Sequence, residues 1–192
     1  MPSYEDILPE TTRHHYVPPR HNVLLLSCMD PRLIDDLSNF MHRDNLTNRF
    51  DHVILAGACL GVTQEQFPHW RETFFEHLGL AVALHDIQEI YLVEHRSCGA
   101  YAHFLGLEYG DSQEEQLREE ADHLRQALAL RDEIHRWAED KKRKSGEPVK
   151  LRVYSFLMDL RGSTKLIAGP DDAPAPAPAA QAKASKKKTS RR

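Results

Sequence analysis

Glu89–Ala100 reads E-I-Y-L-V-E-H-R-S-C-G-A. An apolar run of strand length gives way to His95, two residues, Cys98 and then Gly99, so an imidazole and a thiol leave the end of one buried strand three residues apart. At that spacing both can grip one small cation, with Gly99 letting the backbone turn beneath them. A second strand end supplies another thiol: Asn22–Ser27 carries the continuous apolar run V-L-L-L and is followed by Cys28-Met29-Asp30-Pro31-Arg32. Runs of this kind are what parallel strands buried on both faces look like.

Outward from these two strands the chain alternates strand and helix. Arg32–Asn39 has Leu33, Ile34 and Leu37 at helical spacing, and His52–Ala56 reads as a second buried strand closed by the turn G-A-C-L-G at Gly57–Gly61. From Phe67 to His85 apolar residues recur at three- and four-residue steps, which predicts a helix with one broad buried face before the strand over Ile87–Val93. Ser112-Gln113-Glu114-Glu115 has the pattern of a capping box. The helix it opens carries an apolar stripe through Trp137, with a break expected near Leu130, Lys141–Lys144 suited to its C-terminal dipole and Gly146 as its stop. Val149–Asp159 alternates as a further strand, and R-G-S-T-K-L-I turns back from it. Right-handed crossovers between successive strands then imply an α/β fold, a mainly parallel sheet of four to five strands flanked by helices.

The 192 residues suit one domain, expected over residues 22–169, between an arm over 1–21 and a tail over 170–192. The arm holds four prolines and room for one short helix near Tyr4–Leu8; it reads either as a frayed end or as a segment lying across a partner subunit. In the tail, alternating Ala and Pro followed by Lys186–Lys188 and Arg191-Arg192 describe a semi-rigid linker with a basic tip, either a solubilising end or a contact for an acidic surface or nucleic acid. The net charge of −4 is uneven: from Asp171 onward six Lys/Arg face two Asp, a balance of +4, which leaves −8 on residues 1–170. An acidic body speaks against a nucleic-acid-binding core, which needs a basic face. Acids near the N-terminus, where a secretory leader has bases, and the lack of any apolar run near the roughly 20 residues that span a bilayer lead to the expectation of a cytoplasmic protein. Three cysteines, Cys28, Cys59 and Cys98, make a poor disulfide framework and a better set of reduced thiols for a metal.

Cys28, His95 and Cys98 all sit just past the carboxyl ends of buried strands, where an open α/β sheet gathers its ligands. Two thiolates and an imidazole suit a tetrahedral, borderline-soft ion, with zinc the best match, and three protein ligands leave a fourth position for water or substrate. Such an open site brings the pKa of a bound water toward about 7. Asp30 and Arg32 follow Cys28 at steps of two, so a carboxylate and a guanidinium can line the same pocket. The carboxylate would accept a hydrogen bond from the zinc-bound hydroxide and aim its free lone pair at an electrophile, and the guanidinium would hold the carboxylate in place and ionised. Asp30 also reads as a helix N-cap before Pro31-Arg32, and the two roles are compatible. Cys59 reads as a small buried hydrophobe; were it a ligand, the site would be a closed Cys3His centre. A proton shuttle among His42, His52, His69 and His103 is not distinguished by sequence.

C-M-D-P-R at Cys28–Arg32 with H-R-S-C-G at His95–Gly99 resembles the β-class carbonic anhydrases, whose pattern is C-x-D-x-R followed by H-x-x-C-G, and the likeness extends from about Val23 to Ile167. The resemblance implies a mainly parallel sheet, one zinc ion per subunit on Cys28, His95 and Cys98, and an orienting dyad of Asp30 and Arg32. It also implies a homodimer or higher homo-oligomer and a zinc lyase that hydrates carbon dioxide reversibly to bicarbonate by zinc-bound hydroxide. In a second state of that family the aspartate leaves the arginine for the zinc. Two departures fall beside the cleft: L-A-G-A-C-L-G stands where many members have an R-N-A-G-like segment, and F-P-H-W-R-E-T-F-F is bulky where small residues are common. Carbonyl sulfide or carbon disulfide hydrolysis, known on the same scaffold, is therefore an alternative substrate reading. A zinc-binding scaffold protein without turnover is the reading from another class, and the intact Asp30 and Arg32 speak against it.

Overall fold

The computed structural model describes residues 23–43, 46 and 49–172. The elements are β1 (Val23–Ser27), a 3-10 turn (Pro31–Leu33), α1 (Ile34–Arg43), β2 (Phe50–Ile54), α2 (Cys59–Thr63), α3 (Pro68–His85), β3 (Glu89–His95), α4 (Gly99–Leu105), α5 (Gln113–Ala138), β4 (Arg152–Met158) and β5 (Thr164–Ala168). They build the expected α/β fold. One sheet has the order β2-β1-β3-β4-β5, parallel from β2 through β4, with β5 antiparallel at the far edge. The expected arm over 1–21, and the expected tail from 173 onward, lie outside the described residues.

Alternation in β1 shows why the sheet needs cover on both faces. Leu24 and Leu26 join Ile90, Leu92 and Val153 in a core closed by α2, α3 and α5, whereas Val23 and Leu25 pack with Tyr91 and Val93 under Leu33, Leu37 and Met41 beside α1. All five residues of β1 are buried, as a central parallel strand requires. Leaving β1 the chain crosses to β2 on one side; leaving β3 it crosses to β4 on the other. The strand order thus reverses between β1 and β3, and the carboxyl ends of these two strands open the crevice in which such sheets bind ligands.

Four local expectations are corrected. The second strand is Phe50–Ile54 rather than His52–Ala56, and it is the sheet edge rather than buried, with Ile54 53% exposed. Its apolar run overshoots because Leu55, whose N–H still bonds Ser27 O at 3.0 Å, turns into the core past the last paired residue, Ile54, and Ala56 lines the crevice. The turn over Gly57–Gly61 runs into the one-turn helix α2. α3 buries Phe74, Leu78, Ala81 and Val82, while Leu84 is 64% exposed, so its buried face is narrower than the periodicity suggests. α5 starts at Ser112, whose hydroxyl accepts the Glu115 N–H at 3.3 Å, and it runs unbroken through Leu130 to Ala138. Ala127, Leu130, Ile134 and Ala138 form one stripe in the core, and that burial holds the helix straight past the expected break; Lys141–Lys144 lie beyond its end. Among the described residues no helix is long and apolar enough to cross a membrane.

Candidate metal centre

Cys28 is the first residue beyond β1, and its Sγ accepts the N–H of Gly57 at 3.3 Å. Gly57 has φ +80, and a Cβ built on it would stand 2.7 Å from the Cβ of Ala100. Only glycine brings its amide to the sulfur here. His95 ends β3, and its Nδ1 donates to the carbonyl oxygen of Arg96 at 2.9 Å, which leaves Nε2 as the free donor atom. Nε2 is buried and has no hydrogen-bond partner. Cys98 follows across Arg96 and Ser97, 3.9 Å from Cys28 between sulfurs.

The donor atoms of Cys28, His95 and Cys98 all lie within 4.8 Å of one another, and these three residues could hold a metal ion. Zinc fits them. A tetrahedral ion at about 2.3 Å from each sulfur sets the two sulfurs about 3.8 Å apart, close to the observed 3.9 Å, and a buried imidazole nitrogen without a partner is what a missing ligand bond leaves behind. Electrostatics agree. The hydrogen bond from Cys98 draws the Cys28 thiol down to about 4 against the cost of burial, helped by His95 and the Gly57 amide. Cys98 is pushed up by that same bond and by burial. The two sulfurs thus share one proton, which a cation must displace. Burial pulls His95 down, but the close Cys28 sulfur, with the Arg96 carbonyl and the Asp30 carboxylate, leaves it raised.

Asp30 and Arg32 sit together at the mouth. Arg32 grips the carboxylate with Nε on Oδ1 at 2.9 Å and NH2 on Oδ2 at 2.6 Å, and the Arg32 backbone N–H adds a third bond at 3.0 Å. Asp30 is therefore both the N-cap of the 3-10 turn and the partner of Arg32. The Arg32 hydrogen bonds lower its carboxyl to about 2. Its Oδ2 lies 3.9 Å from His95 Nε2, which puts an ionised carboxylate edge beside the donor set.

A cavity of about 410 Å³ opens over Cys28, Asp30 and Cys98. Its far wall is aromatic: Phe67 stacks on Trp70 at 4.9 Å between centroids, and Phe104 meets both edge-on at 6.1 Å. The bulky start of α3 thus stands in the cleft itself. His103 is the one histidine among the described residues that lines it, and it is exposed. His52 instead lies on the α1 side, 2.7 Å from Ser27 Oγ and lowered by burial. Cys59 is fully buried and stands apart from the donor set, as a small hydrophobe would.

Sequence reasoning missed the support behind the ligands. Glu94, one residue before His95, is 1% exposed and accepts from Cys59 N–H at 2.8 Å, Tyr101 OH at 3.1 Å and His123 Nδ1 at 2.6 Å. Burial alone would raise its carboxyl, but His123 leaves it lowered. A charged residue inside the apolar run of β3 was the available signal; its partners on α4 and α5 carry none.

No protein-family model matches the chain. Residue by residue it is similar to the uncharacterized protein RC0076 of Rickettsia conorii, 34% identical over 146 residues that cover 76% of this chain and 72% of that one. It is also similar to an uncharacterized protein of Rickettsia bellii, 32% identical over 141 residues, covering 73% and 78%. Among solved structures it is similar to the β-carbonic anhydrase CafD of Aspergillus fumigatus, with TM-score 0.47 and 14% identity over 79% of this chain and 91% of that one. A tetrameric β-carbonic anhydrase of Sordaria macrospora matches with TM-score 0.44 and 16% identity, over 78% and 82%. Likenesses as distant as these last two leave the chemistry to be argued from the site. The extent and identity of the two rickettsial matches show that the chain belongs to the family of those proteins.

Proposed function

We propose that this chain is a zinc-dependent lyase of the β-carbonic anhydrase type, hydrating carbon dioxide reversibly to bicarbonate with one zinc ion per subunit on Cys28, His95 and Cys98. One observation carries the reading: the Asp30 carboxylate, forked by Arg32, stands with Oδ2 3.9 Å from the unpartnered Nε2 of His95, beside three donors that leave a tetrahedral ion one open position. A purely structural zinc site has no need of that dyad.

Bound zinc supplies Lewis acidity that makes hydroxide available from water near neutral pH. The residues of the chain do the rest. Asp30, ionised down to about 2, is an acceptor throughout the working range and orients the nucleophile by taking its proton in a hydrogen bond. Arg32 fixes the carboxylate, and its second NH2 contact, to Ser97 O at 3.2 Å, ties the dyad to the ligand segment. Phe67, Trp70 and Phe104 present an apolar wall to a small linear substrate and exclude bulk water. His103, exposed on the cleft lining, can pass the released proton to buffer.

Stopped-flow hydration of carbon dioxide by the purified, zinc-loaded chain is the test, beside Cys28→Ser and Asp30→Asn. Turnover far above both variants is expected; zinc content with hydration no faster than the variants overturns the reading. The aromatic wall favours one second reading, hydrolysis of carbonyl sulfide or carbon disulfide, whose sulfur is larger and less hydrogen-bonded than oxygen. Sulfide release without hydration would select it.

A further inference from the structure

The two residues between the proposed ligands, Arg96 and Ser97, are gripped from a distant helix. Ser97 has φ +55, a left-handed conformation that side chains other than glycine seldom adopt unless held. Its N–H donates to Glu119 Oε1 at 2.5 Å, and its carbonyl accepts from Arg32 NH2 at 3.2 Å. Arg96 NH1 donates to Glu119 Oε2 and to Gln116 O, both at 3.0 Å, and Arg96 NH2 donates to Glu120 Oε2 at 3.2 Å. Glu119 lies two turns into α5 and is 3% exposed. A carboxylate is carried out of water at a cost unless its oxygens are bonded. Here one oxygen serves the Ser97 amide and the other the Arg96 guanidinium.

We infer that Glu119 is a positioning residue of the metal centre: it holds Ser97 left-handed and so sets the placement of His95 and Cys98. Through the Ser97 carbonyl it also sets Arg32 against Asp30. Its consequence for metal rests on the proposed function, whereas the clamp itself is a property of the polypeptide. No other described contact would hold the Ser97 amide, so the ligand spacing would depend on a side chain more than twenty residues away on another element.

The test uses the full chain, wild type against Glu119→Gln, Glu120→Gln and the double variant Ser97→Gly/Glu119→Gln. A glutamine offers one oxygen where both the amide and the guanidinium need an acceptor. Glu119→Gln is expected to weaken zinc binding, measured by competition with a chromophoric chelator, by about 10–100-fold and to shift the visible bands of the cobalt-substituted protein. Glu120→Gln, which spares the Ser97 bond, leaves both near wild type. The double variant recovers most of the lost affinity, because glycine adopts positive φ without being held. Wild-type affinity and spectrum in Glu119→Gln, or no recovery in the double variant, overturns the inference. Amide exchange on the metal-free chain separates the two readings: faster exchange at Ser97 in Glu119→Gln, with Leu24–Leu26 unchanged, supports the clamp. Should the wild type bind neither zinc nor cobalt, the proposed function falls, and this exchange difference alone decides the clamp, its absence overturning it.

Discussion

A backbone amide aimed at a thiol is the smallest unit on which this site depends. Gly57 combines φ +80 with a 2.7 Å approach of its absent Cβ to Ala100, so Gly57→Ala should cost about 1–3 kcal/mol and lower the melting temperature by about 2–4 °C for each kcal/mol. Zinc affinity should fall in the same variant, because the amide that stabilises the Cys28 thiolate moves away. Both are read by thermal unfolding and chelator competition. Acid sensitivity follows from the direction of the shifts. A raised His95 stays protonated to higher pH than a free imidazole, and the two sulfurs share one proton, so a metal must displace protons to bind. Zinc affinity should therefore climb with pH through neutrality and be lost as pH falls. Asp30 behaves oppositely: its carboxyl is lowered from 3.8 to about 2, so the stability its pairing contributes is present above 3.8 and disappears only as pH falls through about 2. Progressive loss of metal as pH falls in chelator titrations, with hydration dependent on Asp30 wherever metal is retained, is the expected pattern.

Among the elements, α5 does two jobs at once: its stripe of Ala127, Leu130, Ile134 and Ala138 closes the core, and its first turns reach the ligand segment through Glu119 and His123. Leu130 is fully buried, so Leu130→Ala should destabilise by about 2–5 kcal/mol, whereas Leu84→Ala on the exposed side of α3 should stay within about 0.5 kcal/mol. Denaturant melts of the two variants check this directly. The capping box at Ser112 was legible because a helix start is a local event, written in residues three apart. The continuity of the helix past Leu130 was not, since what holds it straight is burial against strands far away in the chain.

For the molecule as a whole, the β2 edge stands out. Ile54 on it and Ile34 at the start of α1 are 53% and 64% exposed, and Leu80 and Leu84 flank the same edge from α3 at 56% and 64%. An unpaired edge strand bordered by apolar side chains favours association. With the proposed function goes a homodimer or larger assembly through this face, and Ile54→Asp should shift sedimentation toward the monomer while the circular dichroism spectrum stays that of the wild type. A wild-type chain sedimenting as a monomer would remove this prediction without touching the metal centre. The same edge shows why the sequence misplaced β2: the apolar run Val53–Ala56 looks alike whether a second strand covers it or the chain leaves the sheet, and only the strand order decides.

By itself the sequence determined which strand ends bring a possible metal-binding trio together. Cys28 and the His95/Cys98 pair are legible because each follows directly on a short apolar run bounded by turn residues, which reads as a buried strand. It determined the α/β class for the same reason, since periodicity is local. Only the tertiary structure decided that Gly57 turns its amide to Cys28, that the aromatic start of α3 walls the cleft, that Glu119 bonds Ser97 and Arg96, and that Glu94 gathers Cys59, Tyr101 and His123. Most of those contacts join residues tens of positions apart, and no short-range pattern encodes a hydrogen bond whose geometry exists only after the helices have packed on the sheet.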